Sequence, residues 1–382
     1  MPSGDPYEIR AATLADWPAI EHFVRATYGP SAPFKSLARL RWQLIDTPYA
    51  PPAGASDSLL SWIALHQGEV AGQISLQPGR AFIDGLPLDA GWVVDVMVSP
   101  AHRGQGLGHR IHAAMRDAGH TLVTLTMAEA TRRIAEKAGC VTLGPVEQLA
   151  RVRRLSPATL SALLVERTDR RASLRAAGRA FAASGIGPAL ASQVSGIVGP
   201  AWRGFAPLPA PAAGIEDVSG WEPQAVAALW VRMQARLPAL FDRSPEFCAW
   251  RLAAPDLAYR FARRVRGGET VGLVAWRLPL PCELSVGTVV EVLGDPADAE
   301  TLAGLVVHAV ARMERHCDAV VAAAARPEFL AAYRAAGFRT LRRHYPTVVS
   351  SDPAVMQRFA AHGAAWHFSK ADHDWDQVHA VR

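Results

Sequence analysis

Apolar and polar positions along this chain change period at regular intervals, and those changes predict its elements. Residues 59–65 and 70–76 are apolar segments on either side of Gln67-Gly68-Glu69, a turn signal that predicts a hairpin. Residues 7–10 predict a first strand, and residues 13–18 open a helix with Thr13 as its cap. A further apolar run, 93–98, ends at Ser99-Pro100 and meets a glycine-rich turn. Beyond it the pattern predicts a helix completed by 113–119, a strand over 121–127 and another helix over 130–139.

Length and composition change this picture in two ways. At 382 residues, half of them hydrophobic, the chain is too long for one small α/β domain and suits two with full cores. Its cysteines, Cys140, Cys248, Cys282 and Cys317, show no metal-ligand spacing and read as buried thiols in a reducing compartment. The N-terminus lacks a basic-then-apolar layout, and the apolar stretch 186–202 is broken by Gly and Pro, so a soluble, cytoplasmic protein is expected. A net charge of +5 fits an anionic cofactor, a nucleic acid or an acidic lipid face equally well. Arg151, Arg153, Arg154, Arg167, Arg170, Arg171, Arg175 and Arg179 concentrate in one segment. They read as the solvated face of a connecting arm, with no aromatic-interleaved nucleic-acid module beside them.

The chemistry concentrates in Pro100-Ala101-His102-Arg103-Gly104-Gln105-Gly106-Leu107-Gly108. Three glycines in five residues leave backbone N–H groups uncovered where a helix begins, an array suited to a phosphate group. A P-loop would end in Gly-Lys-Ser/Thr, whereas this loop ends Gly108-His109-Arg110. A dinucleotide turn needs Gly-x-Gly-x-x-Gly in an early βαβ unit, which this spacing does not provide. What remains, Arg103-x-x-Gly106-x-Gly108 after a strand, resembles the acetyl-coenzyme-A signature of the GNAT N-acetyltransferase superfamily. The predicted element order over residues 1–155 resembles that superfamily too.

A second copy follows the first. Residues 93–100 match 289–296, which sets Asp95 against Glu291 at an offset of 196. Arg41-Trp42 and Pro48-Tyr49 echo Trp250-Arg251, Pro255 and Tyr259; Gly68-Glu69-Val70-Ala71-Gly72 echoes residues 268–272; residues 134–140 line up with 332–338. Agreement in order and spacing marks a duplication. The expected fold is therefore α/β (α+β): two tandem GNAT-like domains, each a mixed, mostly antiparallel twisted sheet flanked by helices. Domain one spans 1–155; a helical, Arg-rich and Gly/Pro-rich connector spans 156–214; a degenerate domain spans 215–349; a docking tail spans 350–382. After Pro296 the second copy has no glycine loop but an acidic cluster, Asp298 and Glu300, expected to repel a pyrophosphate.

The resemblance implies a mechanism. Acetyl-CoA is the cosubstrate, with no metal: its pantetheine arm runs beside the main chain of Met97 and Val98. The amides of Arg103, Gly104, Gln105, Gly106, Leu107, Gly108 and His109 hold its diphosphate, and Arg103 adds charge-assisted bonds. Acetyl transfer to an amine also needs a proton acceptor, for which Asp95 on the central strand and Glu129 at the end of the next are the candidates. Glu291 opposite Asp95 favours instead a shared structural hydrogen bond. Tyr333 stands where superfamily members carry a thiolate-protonating tyrosine, and the first copy has Ala135 there. Tyr28 and Tyr49 are alternative hydroxyl sources, and Trp17, Trp42, Trp62 and Trp92 read as core or as an acceptor wall. The Arg-Trp…Pro-Tyr pattern is similar to that of bacterial two-copy acetyltransferase-like proteins associated with cell-envelope or polysaccharide synthesis. The expected partners are a small-molecule amine or amino sugar, no nucleic acid and no integral membrane segment, with a homodimer compatible. The competing reading is a non-catalytic acyl-CoA-binding, sensing or assembly protein. His367, Asp372, His373 and Asp374 in the tail form weak metal-site geometry.

Overall fold

The computed structural model of the protein describes residues 5–28, 36–49, 58–125, 136, 139–154, 207–281 and 283–376. Strands in the first half are β1 (Glu8–Thr13), β2 (Ser58–His66), β3 (Glu69–Gln77), β4 (Arg80–Ile83), β5 (Leu86–Asp89), β6 (Gly91–Val98), β7 (Leu122–Thr124), β8 (Val141–Thr142) and β9 (Val146–Val152). The second half supplies β10 (Ile215–Val218), β11 (Ala239–Phe241), β12 (Tyr259–Arg266), β13 (Glu269–Arg277), β14 (Val286–Gly294), β15 (Ala319–Ala324), β16 (Arg339–His344), β17 (Thr347–Val349) and β18 (Trp366–His367). The helices are α1 (Trp17–Tyr28), α2 (Leu37–Leu44), α3 (Leu107–Asp117), α4 (Pro223–Arg236), α5 (Pro245–Arg251), α6 (Ala299–Met313), α7 (Pro327–Ala335) and α8 (Pro353–His362).

Two units carry the same sheet. The first has strand order β1-β2-β3-β6-β7-β17-β8 and the second β10-β12-β13-β14-β15-β9-β16. In each, the first four strands are antiparallel neighbours, the fourth and fifth run parallel, and the last three are antiparallel. The sixth strand of each sheet comes from the other end of the chain: β17 completes the first and β9 the second. The units are accordingly residues 1–143 with 254–256 and 345–363, and residues 144–253 with 257–344 and 364–382. The consecutive boundaries 1–155 and 215–349 therefore misplace two strands, because 146–152 pairs in the second sheet and 347–349 in the first. Most of the connector, residues 156–206, lies outside the described residues.

Local chemistry explains why both copies fold alike. The β2–β3 turn has Gln67 and Gly68 at φ 53° and 83°, and the β12–β13 turn has Gly267 and Gly268 at 60° and 82°. Positive φ at both central residues twists a hairpin as its strands require. Gly72 and Gly272 mark the place where a helix crosses the sheet. A Cβ on Gly72 would lie 3.0 Å from Ile111 Cδ1, and one on Gly272 would lie 2.5 Å from Thr301 Cγ2. Leu107, Ile111 and Met115, one stripe of α3, pack on one face of the first sheet with Trp62, Ile74 and Val93. On the opposite face Ile20, Phe23 and Val24 of α1 and Leu40 of α2 cover Ile63 and Met97. Among the described residues, no helix is long and apolar enough to cross a membrane.

Candidate cofactor cleft

The site begins where two parallel strands part. β6 pairs with β7 only at Gly91–Leu122 and Trp92–Val123, yet β6 continues to Val98. On its other edge β6 stays on β3, with Gln73 opposite Met97 and Ser75 opposite Val94, so Asp95 and Val96 together face Ile74 alone. This β-bulge bends the strand and re-aims its side chains. Asp95 takes a positive φ of 53° and is buried, while Val96 is turned out to 58% exposure. The second copy bulges slightly further along β13, at Val290 between Ala275–Glu291 and Trp276–Val289, and leaves its own parallel pair after Thr288.

At the open end of the cleft the chain makes a short 3-10 turn, Pro100–His102, and then the glycine loop. Gly104 and Gly106 have φ of 79° and 71°, and Gly106 is the N-cap of α3 with no side chain to cap it. The carbonyl of Gly106 accepts from the amides of His109 and Arg110, so helical bonding starts only there. The amides of Gly104 through Gly108 have no backbone acceptor among the described residues. A Cβ on Gly104 or Gly106 would meet no atom of the protein within 4 Å, and one on Gly108 only Val98 Cγ2 at 3.8 Å. The glycines thus keep open a space that the protein itself does not fill, beside the positive end of a helix. That arrangement fits a diphosphate held by main-chain amides.

One residue missed in the sequence organises this loop. The Tyr7 hydroxyl, just before β1, donates to Gln105 Oε1 at 2.9 Å and lies 2.8 Å from His102 Nδ1. The rings of His66 and His102 pack against Tyr7, with centroids at 5.4 and 5.5 Å. Arg110 lies over the Tyr7 ring at 5.6 Å and pairs with Asp5.

The expected site residues fall into distinct places. Met97 and Leu107 bury their side chains in the two cores, leaving only main chain for a ligand. Arg103 is exposed, and its Nε donates to Val98 O at 3.1 Å. His109 is exposed on the first turn of α3, whereas His112 is half-buried and lowered in pKa by burial, then by His109 and Arg116. Glu129 and Ala135 lie outside the described residues. Tyr49 lines a cavity of about 260 Å³ with Arg80, Asp89 and His120, at the start of β6 and so at the far end of that strand from the loop. Trp42, Trp62 and Trp92 are buried.

The second copy has closed the same positions. Asp298 caps α6 itself, accepting from Thr301 N at 3.1 Å, and pairs with Arg266; Arg264 pairs with Glu300. The acidic cluster is therefore neutralised in place, and a self-made cap stands where the first copy has bare amides. Glu291 is sealed inside, accepting from Arg243 and from Ser369 Oγ at 2.6 Å, and Arg243 also pairs with Asp372 at 2.7 Å. Tyr333 is buried, and burial followed by the Glu291 carboxylate pushes its pKa up.

A sheet split between its parallel strands, the frame of an acyl-CoA-type transferase fold, is built twice here, and the first copy alone adds an uncapped glycine loop leading into a helix. Comparisons give the first copy a family: residues 8–142 match the acetyltransferase (GNAT) domain model. The chain resembles a tandem GNAT protein from the clavulanic acid biosynthesis pathway at 15% identity and TM-score 0.53, over 91% of this chain and 99% of that one. A GCN5-related N-acetyltransferase from Anabaena variabilis matches at 10% identity and TM-score 0.55, over 90% and 72%. Saccharomyces cerevisiae N-myristoyltransferase with bound myristoyl-CoA matches at 10% and 0.57, over 92% and 80%. No curated protein matches the sequence at a significant level.

Proposed function

We propose that the protein is an acetyl-CoA-dependent N-acetyltransferase that acts through its first copy on a primary amine of a small molecule or amino sugar. The observation that carries this reading is the asymmetry between the copies: bare amides from Gly104 to Gly108 in one, the Asp298 cap in the other. In the first copy those amides and the α3 N-terminus would hold the diphosphate, and the main chain of Met97 and Val98 would line the pantetheine arm. The bound thioester supplies the acetyl group. In this reading Asp95, at the bulge beside the split, would take a proton from the incoming amine, and a backbone amide near Val98 would stabilise the developing oxyanion. A reducing, cytoplasmic setting fits the buried thiols Cys248 and Cys317, both raised in pKa by burial, Cys317 to about 11.

Calorimetry with acetyl-CoA and thiol-release assays over an amine panel test the reading together. Wild type is expected to bind at micromolar concentration and release thiol with a subset of amines. Gly106→Glu, which adds a charge and a side chain at positive φ, abolishes binding. Asp95→Asn keeps binding, since Asn tolerates φ of 53°, but slows turnover at least a hundredfold. Absence of binding by wild type ends the proposal. Binding without thiol release from any amine favours a sensing protein instead.

A further inference from the structure

The face of the first sheet that lies under α1 and α2 carries a row of polar side chains at positions where a sheet facing helices is ordinarily apolar. Gln73, Ser75 and Gln77 alternate along β3, so they share one face, and Ser61 lies opposite Ser75 on β2. All four are buried, Gln73 and both serines completely. Gln73 Nε2 donates to Ser75 Oγ at 2.9 Å, Ser75 Oγ lies 3.0 Å from Ser61 Oγ, and Gln43 of α2 donates from Nε2 to Gln77 Oε1 at 3.0 Å. Gln73 Oε1 is buried with no hydrogen-bond partner among the described residues. A buried acceptor left unpaired in this way costs on the order of the hydrogen bond it lacks. The row ends beside the bulge, because Gln73 pairs with Met97 and Ser75 with Val94.

The duplication supplies a comparison for this row. The two units pair alike at these positions: Ser61 opposite Ser75 becomes Phe261 opposite Ala275, and Gln73 opposite Met97 becomes Leu273 opposite Leu293. The copy without a cradle has apolar residues where the copy with one has Ser61, Gln73 and Ser75. The fold therefore does not need polar groups there. The flanking positions, Gln43 and Gln77, become Arg251 and Arg277, aligned by the shared helix caps Ser36 and Ser244 and by β13 register. Those arginines grip the chain's own tail: Arg251 Nε donates to Ala371 O at 2.8 Å, and Arg277 Nε to Asp376 O at 2.7 Å. In the second copy this face is thus covered by an internal ligand, the segment 366–376, which also reaches Glu291 through Ser369.

We infer that the corresponding face of the first copy receives the acceptor, and that Gln73, Ser75 and Ser61 read hydroxyl or amide groups on it. The acceptor is then an amine bearing several hydroxyl groups rather than a plain alkyl amine. Gln73 Oε1 supplies an acceptor for a substrate O–H or N–H, and the serine hydroxyls supply groups that both give and take hydrogen bonds. Sites built to bond a substrate hydroxyl reject the analogue lacking it, because their own groups are left unpaired. This inference rests on the proposed acetyl transfer and on its cofactor cleft.

The test compares D-glucosamine with cyclohexylamine, rings of the same size with and without hydroxyls, in steady-state thiol-release assays at saturating acetyl-CoA. Wild type is expected to favour glucosamine in kcat/KM by at least tenfold. Gln73→Leu and Ser75→Ala take the residues of the second copy, Leu273 and Ala275, and so keep a core that already exists in this chain. Each is expected to raise the KM for glucosamine about tenfold, leave the cyclohexylamine KM within twofold, and leave acetyl-CoA affinity by calorimetry unchanged. Equal losses on both amines would assign the row to structure and overturn the inference. So would a wild type that binds acetyl-CoA and prefers cyclohexylamine. Failure of wild type to bind acetyl-CoA at all removes the cofactor reading first and is seen separately, in the calorimeter.

Discussion

At the residue scale, the glycine loop cannot hold its own shape. Gly104 and Gly106 give the backbone the positive φ that aims its amides outward, and the same residues confer the greatest conformational freedom on the chain. Tyr7 removes that freedom from outside, by one hydroxyl that ties His102 and Gln105 together. Because the hydroxyl donates to Gln105, the compatible arrangement has His102 Nδ1–H donating to it. Tyr7→Phe keeps the ring packing and loses the tie. Acyl-CoA affinity should then fall about threefold to tenfold, the worth of one neutral hydrogen bond, with the melting temperature nearly unchanged. An unaltered affinity in calorimetry would show that the loop is ordered without it. The glycine loop itself was legible in the sequence because its signal lies within five residues. Tyr7 was not, since its partners stand 95 and 98 residues away and nothing local in the residue before a strand announces a contact.

At the scale of elements, short-range chemistry made the hairpins and helices readable. The β2–β3 turn follows from Gln67-Gly68, and α2 and α5 each begin at a serine whose side chain accepts from the third amide on. Those two caps align Trp42 with Trp250, one residue from the pairing that the Arg-Trp and Trp-Arg letters suggest. The acidic cluster after Pro296 looks repulsive from local sequence alone; its partners Arg264 and Arg266 lie on β12, more than thirty residues away.

The strands and tail of the second unit also set its response to acid. His344 on β16 is pushed down to about 3 by burial, then by Arg342 and Lys370; His367 on β18 lies well below its ordinary value, again through burial. Both are neutral bases when folded. Below about pH 6.5 the unfolded chain binds protons that the folded chain refuses, so their contribution is complete above that pH and is lost as pH falls toward 3. Asp16, held down by its bonds to Arg10, adds its own loss only below about pH 4. Chemical denaturation between pH 7 and pH 4.5 should show stability falling by up to roughly 1.4 kcal/mol per pH unit for each histidine. His344→Gln, which retains a partner for Gln148, should flatten that slope; an unchanged slope would place the titrating groups elsewhere.

For the whole molecule, the decisive feature is the exchange of one strand between two otherwise identical sheets. β17 lies between β7 and β8, so a fragment of residues 1–143 lacks the strand that joins them and leaves two edges open. Such a fragment is expected to unfold without cooperativity in circular dichroism, and a peptide of residues 345–363 added in trans should restore a melting transition. A fragment that melts cooperatively alone would show that the exchange is dispensable for folding.

The linear chain by itself determined the two-copy architecture, the glycine loop and the loss of that loop in the second copy, because each rests on residues close together whose spacing carries the geometry. Tertiary structure alone decided which strand completes which sheet, what steadies the loop, and that Gln73 and Ser75 are buried where their counterparts are apolar. Pairing between strands is set by hydrogen bonds and burial that any strand of matching pattern satisfies, so two near-identical sheets leave the sequence with two equivalent partners, and only the folded chain selects one.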